Sequence, residues 1–326
     1  MINQQHLAWI KENNISGVQC SLDELLLYQR YIHLLNTKPN SRVKHHLSGQ
    51  YLAKTKGRGM EFDEARHYQP GDDVRTIDWR VTARTGKTHT KVFREEKDRP
   101  IFILCDLLPS MYFGSSLLFK SVQACHLASL IAWKAKKNGD KVGGLVLTNE
   151  TMLESKPRAR QQALLHWLNQ IQLGHQTLQS GYYQDAKAPN ASNRNKVNPK
   201  QYAQERFQQA CAHLRQVAHP GSLIYIISDF QNLSEPALQH LFQLQKHCEV
   251  NACSIYDPIE QSLPQYAGNN LAITDGLATK VISSLSQVEQ YNKSAKRHFV
   301  NQKQTLQQFN IKWLPISAGL PLHEQL

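Results

Sequence analysis

A chain of 326 residues, 40% hydrophobic and 20% charged, has a globular composition and room for one large domain or two ordinary ones. Its longest apolar runs, Ile101–Cys105 and Leu223–Ile227, fall far short of the roughly 20 residues of a membrane helix, and the polar stretch Met1–Asn14 lacks a signal-peptide core. The formal charge of +12 favours acidic partners, nucleic acid included, but no zinc finger or aromatic RNA-binding motif accompanies it, and it is spread over short clusters such as Lys134, Lys136 and Lys137.

Residues 1–40 read as a helical segment. Leu22, Leu25, Leu26, Tyr28, Ile32, Leu34 and Leu35 recur near helical spacing behind Ser21, a serine N-cap with Glu24 three residues on, and Pro39 and Asn40 end the pattern. Residues 41–99 read as a charged, β-rich subdomain. Pro70 and Gly71 occupy the central positions of a type II turn, and the β-branched stretch 88–94 reads as a strand. From residue 100 to 326 short apolar strands (101–105, 142–147, 223–227, 250–255, 311–316) alternate with helices (117–137, 159–171, 237–248, 284–309). That alternation predicts an α/β fold, a doubly wound and mostly parallel sheet covered on both faces. The polar stretch from Gly181 to Gln201 reads as a long surface loop.

The six cysteines show no C-x-x-C spacing and several lie in apolar stretches, which points to reduced, buried thiols and a cytoplasmic protein. His45–His46 has no metal-ligand partner at useful spacing, and Gly57-Arg58-Gly59 lacks the Lys-Ser/Thr of a P-loop. There is no G-x-S-x-G nucleophile elbow.

Ligands of open α/β sheets collect at the carboxyl ends of the strands. Two such ends carry an aspartate: Asp106, with Ser110 on the same loop, and Asp229. These oxygens are of the kind Mg²⁺ takes, although an aspartate ending a strand also caps a following helix.

Between residues 57 and 111 stand Glu61, Phe62, Arg66, Tyr68, Pro70, Gly71, Asp72, Asp73, Arg75, Ile77, Asp78, Trp79, Ala83 and Arg84, and downstream come Asp257, Pro258, Glu260, Leu263, Pro264 and Gly268. In this order and spacing they resemble the bacterial family catalogued as domain of unknown function 58, over about residues 40–275. The resemblance implies a von Willebrand factor A-like domain from about Pro100, preceded by the helical and β-rich extension. It further implies partnership with a MoxR-type AAA+ ATPase in chaperone-like assembly or activation of a client protein. It also implies a comparison with the D-x-S-x-S metal motif of adhesion A-domains. Asp106 and Ser110 match the motif's ends and Asp229 its distant aspartate, but Leu108 replaces the middle serine, and the motif's threonine has no clear counterpart, Thr177 being a weak candidate. A degenerate site with weak or no Mg²⁺ binding is expected.

The arginines Arg66, Arg75, Arg80 and Arg84 interleave with Glu61, Asp63, Glu64, Asp72, Asp73 and Asp78. This reads as an internal ion-pair and turn network with Tyr68 and Trp79 as packing anchors, or as a charged docking face. The expected function is a non-enzymatic, protein-binding adaptor. A basic nucleic-acid-associated protein and a metal-dependent hydrolase using Asp106 and Asp229 are the alternatives.

Overall fold

The computed structural model describes residues 4–35, 60–95, 100–187, 198–264, 271–274 and 279–326. The chain divides into two compact units, Met1–Pro39 with Arg99–Leu326, and Asn40–Asp98.

The chain begins with helices α1 (Gln4–Glu12) and α2 (Leu22–Leu27). Ser21 caps α2 by accepting the Glu24 N–H at 3.2 Å, as its spacing predicts. The helical pattern is broken between them at Gly17, whose φ of +75° suits glycine and whose carbonyl accepts the Phe119 N–H at 2.8 Å.

In the smaller unit, β1 (Met60–His67) leads through a turn to α3 (Trp79–Thr85) and then β2 (His89–Glu95). The two strands pair antiparallel, Ala65 opposite Lys91 and His67 opposite His89. The turn is the expected one: the Asp72 N–H donates to the Gln69 carbonyl at 3.0 Å and Gly71 takes φ +105°.

The larger unit continues with β3 (Ile101–Leu107), α4 (Lys120–Asn138), β4 (Val142–Thr148), β5 (Met152–Arg158), α5 (Gln161–Lys187), α6 (Pro199–Val217), β6 (Leu223–Ser228), α7 (Glu235–Gln245), β7 (Glu249–Tyr256), α8 (Pro258–Gln261), β8 (Leu271–Thr274), β9 (Thr279–Ile282), α9 (Leu285–Gln308) and β10 (Lys312–Ser317). This is an α/β fold around a six-stranded sheet in the order β10-β7-β6-β3-β4-β5, parallel except for the edge strand β5. A short antiparallel hairpin, β8–β9, stands apart from it.

The two-residue period of a strand sorts β3 between two cores. Ile101, Ile103, Cys105 and Leu107 join α4, α5 and the N-terminal residues Cys20, Leu25 and Tyr28 on one face. Phe102 and Leu104 join Phe207, Leu214 and Leu241 of α6 and α7 on the other. Both layers are built of almost wholly buried side chains, which explains why the strands read as unbroken apolar runs. All six cysteines are buried and unbridged. No helix among the described residues is long and apolar enough to cross a membrane.

Two expectations are corrected. The helix expected over 159–171 runs on to Lys187, and α6 starts at Pro199 behind Asn198, whose side chain accepts the Lys200 N–H at 3.0 Å. The polar stretch 181–201 is therefore largely helical at its ends, because glutamine and lysine are good helix formers as well as polar. Residues 188–197 lie outside the described set. Strand β5, with Lys156, Pro157 and Arg158, is unlike the apolar runs because it is an edge strand, where proline and charge are tolerated. His45, His46 and the Gly57–Gly59 segment also lie outside the described residues.

Candidate functional site

The sheet order reverses between β3 and β6: the chain leaves β3 towards β4 on one side and β6 towards β7 on the other. Such a switch point opens a crevice at the carboxyl ends of its two strands. Asp106 is the sixth residue of β3, and Asp229 follows the last residue of β6. The two predicted aspartates thus arrive together, and both are buried.

Asp106 is fully enclosed. One carboxylate oxygen accepts the Ser228 hydroxyl at 2.6 Å and the other accepts the Leu108 N–H at 3.0 Å. Burial and then the neighbouring charge of Asp229 push its pKa up to about 7, against the opposing pull of the Ser228 and Leu108 hydrogen bonds and of Lys120. The Ser228 hydroxyl also accepts the N–H of Phe230, a buried non-glycine residue at φ +55°. That left-handed conformation bends the chain sharply after β6 and aims Asp229 into the crevice. Ser110 is half-buried and accepts the Asn232 side-chain amide at 3.3 Å.

The residue that organises the crevice is one the sequence did not single out. Lys120 is the first residue of α4 and is wholly buried. Its ammonium donates to Asp229 at 2.9 Å and to Glu260 at 2.6 Å. Burial works to lower the Lys120 pKa, but the charges and hydrogen bonds of Asp229 and Glu260 outweigh it and hold the pKa above the usual value. Burial raises Glu260, with Lys120 opposing. Asp229 is completed by the Gln231 N–H at 3.0 Å.

Glu260 is placed by its own sequence context. Asp257 is the N-cap of α8, Pro258 its first residue and Glu260 its third, so Asp257 accepts the Ile259 N–H at 3.0 Å while Glu260 returns to the Asp257 N–H at 2.9 Å. The second Glu260 oxygen is left to face Lys120 and the Gln231 amide, the latter at 3.0 Å. Asp257 also holds Ser115, through its N–H at 2.7 Å and its hydroxyl. A pocket of about 50 Å³, lined by Asp229, Glu260, Gln231, Tyr256, His298 and Gln302, adjoins the cluster. It has room for a water molecule or two.

These groups do not fit a Mg²⁺ ion. Octahedral coordination needs several oxygens at about 2.1 Å, whereas the Asp106 oxygens are engaged by a hydroxyl and an amide and Asp229 faces an ammonium. Leu108 is a fully buried apolar wall, and Thr177 donates its hydroxyl to the Leu173 carbonyl within α5 at 3.0 Å. Among the described residues no group of three or more His, Cys, Asp or Glu side chains is arranged to hold a metal.

The arginine and carboxylate segment takes a different form from the expected ion-pair network. Among described side chains only Arg66 and Asp72 pair, at 2.7 Å, and the Arg66 hydrogen bond holds the Asp72 carboxyl below its usual pKa. The other carboxylates hold backbone. Asp73 accepts the Arg75 N–H at 2.9 Å, and Asp78 caps α3 by accepting the N–H groups of Arg80 at 3.1 Å and Val81 at 3.2 Å. A short carboxylate reaches amides at a helix start more readily than a distant guanidinium, so Arg75, Arg80 and Arg84 are left exposed. Tyr68 is half-buried and donates its hydroxyl to the Asp72 carbonyl at 3.3 Å. Trp79, expected as a packing anchor, is 70% exposed, and Val74 is 61% exposed. The Glu61 and Asp63 side chains lie outside the described residues.

A family model described as "Protein of unknown function DUF58" matches residues 64–304. Uncharacterized proteins of Mycobacterium tuberculosis and Mycobacterium bovis are 33% identical over 116 residues, 36% of this chain and 37% of each of theirs. The match therefore spans well under half the length of these curated relatives. The structure of the conserved hypothetical protein BatB from Bacteroides thetaiotaomicron aligns with a TM-score of 0.35 and 12% identity, covering 67% of this chain and 90% of that one. The structure of an aerotolerance-related membrane protein from Bacteroides fragilis aligns with a TM-score of 0.36 and 14% identity, covering 68% and 93%.

Proposed function

The chain belongs to the DUF58 family, and from that premise we propose that it is a non-enzymatic, protein-binding adaptor that works in the cytoplasm with a MoxR-type AAA+ ATPase on a client protein. The larger unit is, on this reading, a von Willebrand factor A-like domain. Taking its six strands in sequence, the order is 3-2-1-4-5-6 with an antiparallel third strand at the edge, which supports the reading.

One observation carries the adaptor role. Trp79 stands 70% exposed on a helix fixed at both ends, by the Asp78 cap and by Gly86 at φ +70°, with exposed Arg75, Arg80 and Arg84 on the same short segment. Exposed tryptophan and arginine on a preorganised element are the residue types that dominate protein contacts. Their charge suits an acidic face on the ATPase. In the crevice at the switch point the carboxylates are engaged by Lys120, Ser228 and backbone amides, an arrangement that suits a structural role for them.

The test is affinity capture from native lysate with wild type and Trp79→Ala, the retained proteins being identified by mass spectrometry. An AAA+ ATPase held by wild type and lost from a variant with unchanged thermal unfolding is the expected result. If wild type retains only nucleic acid and ribosomal proteins, released by moderate salt, the +12 charge is the better guide and the adaptor reading fails.

A further inference from the structure

We propose that Lys120 is a built-in cation at the switch point, whose ammonium does what a divalent ion would otherwise do, tying Asp229 after β6 and Glu260 of α8 into one arrangement without metal. Its position is unfavourable on every local count. It is the first residue of a 19-residue helix, where the backbone dipole repels positive charge. Its N-cap, Phe119, supplies no side-chain hydrogen bond. The side chain is wholly removed from water, at a cost that only good ion pairing offsets. Nothing in α4 itself explains a lysine there. The carboxylates do.

Two of them reach the ammonium from separate elements: Asp229 from the loop after β6, at 2.9 Å, and Glu260 from α8, at 2.6 Å. Each partner is held in turn, Asp229 by the Gln231 N–H and Glu260 by the Asp257 N–H, so the cation joins α4, the β6 loop and α8 in a single network. The Phe113 ring, 5.9 Å from the ammonium, adds an aromatic face, which suits an ammonium and does not coordinate Mg²⁺. The carboxylate arrangement at the top of this sheet is therefore fixed constitutively and does not switch with divalent ions.

The other ionisable groups around the cluster are Asp106 on β3, Asp257 at the start of α8, and Tyr291 and His298 on α9. Of these, Asp257 deepens the negative potential that a missing lysine would leave behind, and Asp106, with its pKa raised to about 7, adds to it only as pH rises through neutrality.

The test uses the full chain and three proteins: wild type, Lys120→Met, which keeps the stem and removes the charge, and Lys120→Ala, which also opens space. Mn²⁺ binding is read by electron paramagnetic resonance and unfolding by calorimetry. Wild type is expected to bind no Mn²⁺ at this site and to unfold at the same temperature with chelator or with Mn²⁺. Lys120→Met is expected to unfold about 10 °C lower near neutral pH and to recover part of that loss in mild acid, because Glu260, raised by burial, loses the cation that opposes its protonation. Lys120→Ala is expected to gain Mn²⁺ binding and to unfold higher with Mn²⁺ than in chelator, the ion meeting Asp229 and Glu260 in place of the ammonium, and no difference between the two conditions would count against the proposal. One Mn²⁺ bound per wild-type chain and lost on Asp229→Asn would overturn the proposal. So would a Lys120→Met protein as stable as wild type at neutral pH. If that variant fails to fold at both pH values, volume and not charge is what Lys120 supplies, and the proposal also falls.

Discussion

At the scale of single residues, two buried ionisable groups set opposing pH dependences. Asp106 has its pKa raised to about 7, so between about pH 4 and pH 7 the folded chain keeps a proton that the unfolded chain has released. Stability from this group falls as pH rises through that window and levels off above it. His175, wholly enclosed in α5, has its pKa lowered to about 4, by burial first and by His126 second. Its contribution is complete above the ordinary histidine range and is lost as pH falls from about 6.5 towards 4. Asp106→Asn should remove the first slope and expose the second, so the variant gains on wild type steadily between pH 5 and pH 7. Thermal unfolding across that range checks it, and a difference independent of pH would contradict it. Asp106 and Asp229 were legible as strand-end aspartates because a strand end is a local pattern. Lys120 was not, since its partners lie 109 and 140 residues away in sequence. The one nearby signal was the Asp257-Pro258-x-Glu260 capping box, which places a carboxylate without saying what it faces.

At the scale of elements, the signature residues of 61–84 act mainly by ending and starting short structures. Asp73 and Asp78 hold helix starts, Gly71 permits the turn and Gly86 closes α3. Removing the cap with Asp78→Ala should cost about 1 kcal/mol locally. Amide hydrogen exchange at Arg80 and Val81 should then accelerate several-fold, and unchanged exchange would show that α3 does not depend on its cap. The boundaries of α4, α7 and α9 were readable to within a few residues because apolar periodicity carries them. Helix α6 was missed altogether, since its first turns are polar and its buried residues, Phe207, Ala210, Cys211 and Leu214, appear only later. Trp79 illustrates the limit of composition: an aromatic residue inside a charged signature reads as an anchor, yet its side chain is largely exposed.

At the scale of the molecule, the sheet and its two cores follow from strands that are apolar on both faces, which require a helix layer on each side. The order of the strands was not in the sequence. It follows from crossover connections, and it is this order that brings β3 and β6 side by side and converts two distant aspartates into one crevice. The N-terminal helices are tied to the larger unit by buried polar contacts that no periodicity reveals: Glu24 and Tyr28 meet the two ring nitrogens of His126, at 3.1 and 2.9 Å, and the Leu25 carbonyl accepts both Ser129 and Trp133.

The central claim, a preorganised tryptophan and arginine contact for an AAA+ ATPase, is tested most directly by calorimetric titration of the purified chain with the purified MoxR-type ATPase of the same cell. Hot-spot truncation costs about 2 kcal/mol or more, so Trp79→Ala should weaken binding by roughly 30-fold or more, with the unfolding temperature unchanged. Equal affinity for wild type and variant, or no binding by either, would contradict the account.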